Sequence, residues 1–315
     1  MPELLKPPAL RPGDSVGIVA PASNVDAAHL TAGIRQLEQM GYVPLHQPGI
    51  LDQDLYFAGT VHRRLREFHE MFENEKVRAV ICARGGYGAN YLLPHIELDV
   101  IRRHPKIFLG YSDVTCLLTY IHDQTGLVTF HGPMAAKDLA ETEPPGVDEH
   151  SWRAALGGNP QWELASHTIF GFNPLIAGEG EGVLYGGCLS ILVASLGTPY
   201  EVKTEGKLLF LEDVATKPYQ IDRMLMQLKL AGKLKGVRGI IFGEMMHCVQ
   251  SAAQEYTLQE VVFRVVGDLK IPVAYGLRSG HVSRENVTLP FGVRARLSVA
   301  SETARLEIME SAVTR

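Results

Sequence analysis

Phe108-Leu109-Gly110-Tyr111-Ser112-Asp113-Val114-Thr115 is the stretch from which the rest of the chain is read. With Ile107 it begins as a short apolar run, which predicts a buried strand. Gly110 sits two residues before Ser112, where a bulky side chain would crowd a sharp turn. Asp113 and Thr115 suit a turn and a helix start, and Cys116, Leu117, Leu118, Tyr120 and Ile121 continue as a helix. A serine on such a strand-turn-helix corner is lifted clear of the sheet, and the N–H groups after it point at whatever it attacks. The G-x-S-x-G frame is incomplete, because Val114 stands where the second glycine belongs. The same residues also suit a serine that N-caps a buried helix, and the stretch alone leaves both readings open.

Upstream, Ser15–Ala20 reads as a buried strand closed by Pro21-Ala22-Ser23, and Asp26 can cap the helix that follows. Leu30, Ile34, Leu37 and Met40 form that helix's apolar stripe, and Gly41 ends it. Val43-Pro44-Leu45 predicts an edge strand, since proline cannot donate to a central ladder. Val61, Leu65, Phe68 and Phe72 mark a second helix. Arg63, Arg64, Arg66, Glu67 and Glu70 are expected to form its solvated face. Val77–Ala83 is the next strand and runs into Arg84-Gly85-Gly86-Tyr87-Gly88. A helix is expected around Asn90–Leu93, and a strand over Leu127–Phe130. Strands alternating with helices over short connections imply a parallel sheet covered on both faces. In such sheets ligands bind beyond the carboxyl ends of the strands, where Ser112 and the Arg84–Gly88 loop both fall.

Composition changes between residues 136 and 177. Glu141, Glu143, Pro144, Pro145, Gly146, Gly157, Gly158, Asn159 and Pro160 break any long pattern there. The expected organisation is a first domain over 1–135, a connection over 136–177 and a second domain over 178–315. The second opens on Gly178–Gly187, followed by a buried helix over Leu189–Leu196. The strand Lys207–Leu211 ends in two carboxylates, Glu212 and Asp213. Helices are expected from Pro218 to Gly232 and over Leu258–Leu269, with strands over Gly239–Gly243 and Val273–Tyr275. Val287–Leu289, Val293–Val299 and Ala304–Ile308 suggest an antiparallel finish.

The 315 residues suffice for two domains with a buried core. A net charge of −5 and the lack of any basic stripe exclude a nucleic-acid binder. The apolar fraction of 46% without an apolar run of membrane-spanning length points to a soluble, cytoplasmic protein. Cys82, Cys116, Cys188 and Cys248 lie far apart, which suggests free thiols in a reducing compartment.

A nucleophilic serine needs a base, usually histidine, which in turn needs an orienting carboxylate. Among 12 histidines, His281 stands out because it follows Gly280 in a loop after a strand. It also reads as an ordinary polar loop residue. Glu212 stands out because a carboxylate ending a buried strand is costly unless paired. It also reads as a loop cap or as a partner of Arg223. Arg84–Gly88 fails the G-x-G-x-x-G frame, since Tyr91 takes the third glycine's place. Its other use is to bring N–H groups to an oxyanion beside Ser112, with Arg84 pairing a substrate carboxylate or making a structural ion pair. No H-E-x-x-H or H-x-x-E-H is present, so no metal and no cofactor are expected.

Taken together, these segments resemble the LD-carboxypeptidases of serine peptidase family S66, the muramoyltetrapeptide carboxypeptidases. The resemblance rests on Gly17–Ser23, Ala83–Gly88, Gly110–Thr115, Gly186–Ser190, Leu209–Asp213, Ile221–Leu225 and Gly280-His281, in that order. It implies an α/β fold with a Rossmann- or flavodoxin-like parallel-sheet N-domain and a β-rich α/β C-domain. It implies Ser112 as nucleophile, His281 as base, Glu212 as orienting carboxylate, and N–H groups near Gly86 and Asp113 as oxyanion hole. It further implies a murein tetrapeptide or UDP-linked muropeptide substrate in peptidoglycan recycling, and a homodimer. Cys188 departs from the family's Gly-Gly-Asn-Leu, and its thiol cannot supply an amide's hydrogen bonds. Two alternatives remain. One is a microcin C-type self-immunity peptidase of the same family, in which an aromatic such as Trp152 or Trp162 would have to stack on a nucleotide base. The other is a non-catalytic α/β protein with Arg84–Gly88 as an anion cradle.

Overall fold

The structure is a computed structural model and describes residues 2–141, 146–250 and 254–314. In the first half the elements are β1 (Ser15–Val19), α1 (Ala27–Gln39), β2 (Val43–His46), α2 (Val61–Glu73), β3 (Val77–Cys82), α3 (Leu98–Arg103), β4 (Ile107–Gly110), α4 (Thr115–Thr125), β5 (Thr129–His131) and α5 (Glu149–Gly157). The second half holds β6 (Trp162–Ala165), β7 (Asn173–Ile176), β8 (Gly178–Cys188), α6 (Leu189–Ala194), β9 (Lys207–Glu212), α7 (Pro218–Leu230), β10 (Gly239–Gly243), α8 (Leu258–Val266) and β11 (Val273–Leu277). It closes with β12 (Leu289–Phe291), β13 (Arg294–Val299) and β14 (Ala304–Ile308).

Two compact units result. The first runs to Asn159 and takes back Arg284–Gly292 and the stretch from Ser311 on. The second comprises Pro160–Ser283 and Val293–Glu310. Residues 136–159 of the expected connection are therefore grouped with the first unit and carry α5. Those from 160 on are grouped with the second and carry β6 and β7. Glu143, Pro144 and Pro145 of that connection lie outside the described residues.

The first unit is a six-stranded sheet in the order β12-β5-β4-β3-β1-β2, parallel except for β12. The Rossmann- or flavodoxin-like expectation therefore holds, with Val43–His46 at the edge as its proline requires. Local chemistry sets the helix ends. The Asp26 carboxylate accepts the His29 N–H at 2.9 Å to start α1, and Gly41, at φ +89°, follows its last turn. Thr60 caps α2 through the Arg63 N–H at 3.2 Å.

Three expectations fail in this unit. Two 3-10 turns, Ala89–Tyr91 and Leu93–His95, replace the helix around Asn90–Leu93. Of the five charged residues expected to be solvated on α2, Arg66 and Glu70 are open to solvent, whereas Arg63, Arg64 and Glu67 are buried. The segment from Pro48 to Gly59 accounts for the second burial. It folds over α2, so that Arg63 donates to the Ala58 carbonyl and pairs with Glu67 at 2.7 Å. Finally, β12 pairs with β5, Leu289 opposite His131, and does not join the last two strands.

The second unit is an eight-stranded mixed sheet in the order β6-β14-β13-β8-β9-β10-β11-β7, with β8 to β11 parallel in its middle. Leu209, Leu211, Ile240 and Phe242 pack with Ile221, Leu225 and Leu228 of α7 and with Val262 and Val266 of α8. The β-rich α/β expectation for the C-terminal part holds. Among the described residues no helix is long and apolar enough to cross a membrane.

Candidate active site

In the first unit, β4 delivers Ser112 as anticipated. The turn Ser112–Val114 leads straight into α4. Ser112 itself is left-handed, at φ +63°, a conformation that a serine adopts only when its surroundings impose it. The N-cap reading is excluded, because the capping residues are Tyr111 and Val114 and neither makes a side-chain cap. Gly110 is required by space, since a Cβ there would lie 3.0 Å from Val114 Cγ1 and 3.1 Å from Cys82 Cβ. Tyr111 is fixed by its hydroxyl, which donates to Asp138 Oδ1 at 3.3 Å. The Asn286 amide donates to the same oxygen at 3.0 Å.

The glycine loop after β3 passes directly beside this corner. A Cβ on Gly85 would fall 2.7 Å from Ser112 Cβ and 3.0 Å from its Oγ. Gly86 has φ +105°, and a Cβ there would collide with the Ser23 side chain at 2.4 Å. Ser23 Oγ accepts the Tyr87 N–H at 3.0 Å, which ties the loop to the segment after β1. Arg84 is exposed and makes one long hydrogen bond, 3.4 Å, to the Asn24 carbonyl. The Asp113 carboxylate is buried and accepts the Ala89 N–H at 2.7 Å. Burial pushes its pKa up to about 6 against the opposing pull of the Ala89 N–H and Arg64.

In the second unit, Glu212 is the last residue of β9 and is fully buried. Its Oε2 lies 2.7 Å from His281 Nδ1 and also accepts the His281 N–H at 3.1 Å. The pairing with Arg223 considered from sequence is not the one formed by this oxygen. A carboxylate on Nδ1 keeps the proton there and makes Nε2 the basic nitrogen of the ring. Gly243 makes room for this pair, because a Cβ on it would meet Glu212 Cβ at 2.6 Å. Beside it, Glu244 accepts the Ser283 N–H at 3.0 Å and so anchors the loop that carries His281.

Cys188 ends β8 opposite Glu212 in register. Its thiol is buried, 3.3 Å from Ser190 Oγ and 3.9 Å from Asp213 Oδ2, and burial holds its pKa well above the ordinary thiol value. Asp213 meets the backbone demands nearby, accepting the N–H of Ser190 and of Val214 at 2.9 Å each. All four cysteines are free. Among the described residues no cluster of His, Cys, Asp and Glu is arranged to hold a metal ion.

Ser112, Glu212, His281, Arg84 and the glycine loop with Gly86, together with Asp113, are candidates already in the sequence, whereas the contacts of Ser23, Arg64 and Glu244 beside them emerge only in the fold. Arg64 looked like one of several helix-surface charges. Its only distinguishing signal was its place in the apolar spacing beside Leu65 and Phe68.

The profile of the LD-carboxypeptidase N-terminal domain of peptidase family S66 matches residues 16–132, and that of the C-terminal domain matches residues 181–297. The probable murein peptide carboxypeptidase of Bacillus subtilis is 39% identical over 96% of this chain and 94% of its own length. The microcin C7 self-immunity protein MccF of Escherichia coli is 29% identical over 95% and 94%. The crystal structure of muramoyltetrapeptide carboxypeptidase from Oxalobacter formigenes aligns with a TM-score of 0.85 at 28% identity, covering 95% of this chain and all of that one.

Proposed function

The chain belongs to the LD-carboxypeptidase family, the serine peptidases of family S66, and from that premise we propose that it releases terminal D-alanine from murein tetrapeptides by acyl transfer to Ser112. The observation that carries this reading is the buried Glu212 carboxylate on His281 Nδ1 at 2.7 Å, the carboxylate-histidine half of a serine hydrolase triad.

In this reading Ser112 Oγ attacks the carbonyl of the L,D-peptide bond while His281 Nε2 takes its proton. The oxyanion is met by the N–H groups of Gly86 and Asp113, each worth about 3 kcal/mol. Collapse expels the amine of D-alanine, protonated by His281. Water, deprotonated by His281, then attacks the acyl-serine, releases the tripeptide and returns the proton to Ser112. Glu212 holds the imidazole in the useful tautomer. Arg84, exposed on the glycine loop, is the cation available to the free terminal carboxylate. A UDP-linked muropeptide suits the same chemistry, and the recycling setting and cytoplasmic location belong to this proposal too.

The relatedness to MccF supports a second substrate class, aminoacyl- or peptidyl-nucleotides. Against it, Trp152 and Trp162 are buried, and Trp152 is engaged with the Tyr42 hydroxyl at 3.2 Å, so neither ring is offered to a base. Turnover of a murein tetrapeptide compared with an aminoacyl sulfamoyl adenosine separates the two. Ser112→Ala is expected to lower D-alanine release at least 1,000-fold with the circular dichroism spectrum unchanged. Full activity in that variant removes Ser112 as nucleophile. A non-catalytic anion binder predicts no labelling of Ser112 by a serine-reactive phosphonate.

A further inference from the structure

We propose that Arg64 and the Asp113 side chain are positioning residues that clamp the Gly88–Ala89 peptide and thereby hold the glycine loop in its oxyanion-binding orientation beside Ser112. The inference rests on the reading of Ser112 given above and adds the two charged groups that make its loop rigid.

The two side chains hold opposite ends of one peptide unit. Arg64 Nη1 donates to the Gly88 carbonyl at 2.7 Å, and Asp113 Oδ2 accepts the Ala89 N–H at 2.7 Å. The same Arg64 nitrogen donates to the Pro21 carbonyl at 2.6 Å, which joins the segment after β1 to the loop after β3. Arg64 and Asp113 are only 2% and 3% exposed, and the guanidinium lies 4.9 Å over the Phe57 ring. Burying a cation and an anion is costly, and a loop that only had to close could be held by neutral groups. What charges add is direction. Turning the Gly88–Ala89 peptide over would set its carbonyl against a carboxylate and its N–H against a guanidinium. That flip would break both bonds and release the far end of the loop whose Gly85 lies against Ser112.

Space closes the remaining exits. Gly88 sits at φ +115°, and a Cβ there would meet the Phe57 ring at 2.4 Å and Arg64 Nη1 at 3.1 Å. Three residues earlier, Gly85 packs on Ser112 itself. Asp113 thus serves twice, its carboxylate fixing the far end of the loop and its N–H lying at the turn that presents Ser112.

A loop set by this clamp affects the chemical step and leaves ground-state binding nearly alone. Arg64→Leu is expected to lower kcat for D-alanine release at least 30-fold with KM within threefold, and to slow inactivation by a serine-reactive phosphonate in proportion. Arg64→Lys, which can still donate to carbonyls, is expected to recover part of the loss. A folded Arg64→Leu enzyme with kcat within threefold of wild type, or with its loss confined to KM, overturns the proposal. Should that variant fail to fold, Asp113→Ala against Asp113→Asn decides by the same criteria, since only asparagine keeps an acceptor for the Ala89 N–H. Ser112→Ala assayed alongside keeps the two readings apart. Its inactivity with Arg64→Leu unaffected refutes the clamp alone, whereas its activity refutes the nucleophile.

Discussion

Ser112 keeps a left-handed backbone, which costs stability that a purely structural serine would not need, and the glycine at position 85 leaves no room for a methyl beside its Cβ. Gly85→Ala tests how closely that contact is set. The new methyl has to displace Ser112, and a shift near 1 Å is expected to lower kcat about 100-fold while the melting temperature falls by a few degrees. Unchanged kcat would show that the serine position is not critical. Glu212→Gln addresses the other half. The amide no longer stabilises the imidazolium and can set the wrong tautomer, so kcat is expected to drop between about 100- and 10,000-fold with the fold intact. Steady-state kinetics on the purified variant measures it.

At the level of elements, α2 shows how a helix surface changes meaning once a loop covers it. Arg63 and Glu67 form a buried pair at 2.7 Å, and burial pushes the Glu67 carboxyl above its ordinary range in spite of Arg63. Removing Glu67 leaves the buried Arg63 charge with the Ala58 carbonyl and with the Asp52 carboxylate at 4.0 Å in place of its 2.7 Å partner. Glu67→Ala is therefore expected to destabilise by about 3 kcal/mol, and the double replacement of Arg63 and Glu67 by leucine is expected to recover much of it. Urea denaturation of the three variants checks this. Equal losses in the single and double variants would mean that the pair is not the cause. The start of α1 was legible because Asp26 acts on an N–H group three residues away, and Thr60 and Thr257 make the same local contact in the structure. The partners of Arg64 were not, because they lie 24 and 43 residues away.

Across the whole molecule, both sheets place the candidate site residues at the carboxyl ends of parallel strands. Arg84 and Ser112 follow β3 and β4, Glu212 ends β9, and His281 follows β11. The first unit also carries two buried carboxyls, Asp113 and Asp138, that burial raises to about 6. An unfolded aspartate titrates near 4, so the folded chain binds these protons more tightly. Their contribution therefore favours folding fully below about pH 4 and is lost as the pH rises through about 6. Asp138→Asn is expected to raise its melting temperature relative to wild type on going from pH 4.5 to pH 7.5. A difference that stays constant over that window would remove Asp138 as a titrating group. The homodimer implied by the family resemblance is open to light scattering, where a mass of roughly twice 34.6 kDa is the expected result.

By itself the sequence determined the alternation of strands and helices, the turn around Ser112 and the glycines of the neighbouring loop. These depend on side-chain periodicity and on turn chemistry acting over a few residues. It also isolated Glu212 and His281, because a carboxylate ending an apolar strand and a histidine after Gly280 are unusual in their local settings. Only the tertiary structure decided that Glu212 takes His281 Nδ1 across 69 residues of chain. It alone decided that β12 joins the sheet of β5 and that Arg64 turns inward to hold a peptide beside the serine. Each of these is a contact between segments distant in sequence. Which segments meet is set by packing of the whole, where a buried charge is tolerated only if a partner arrives with it.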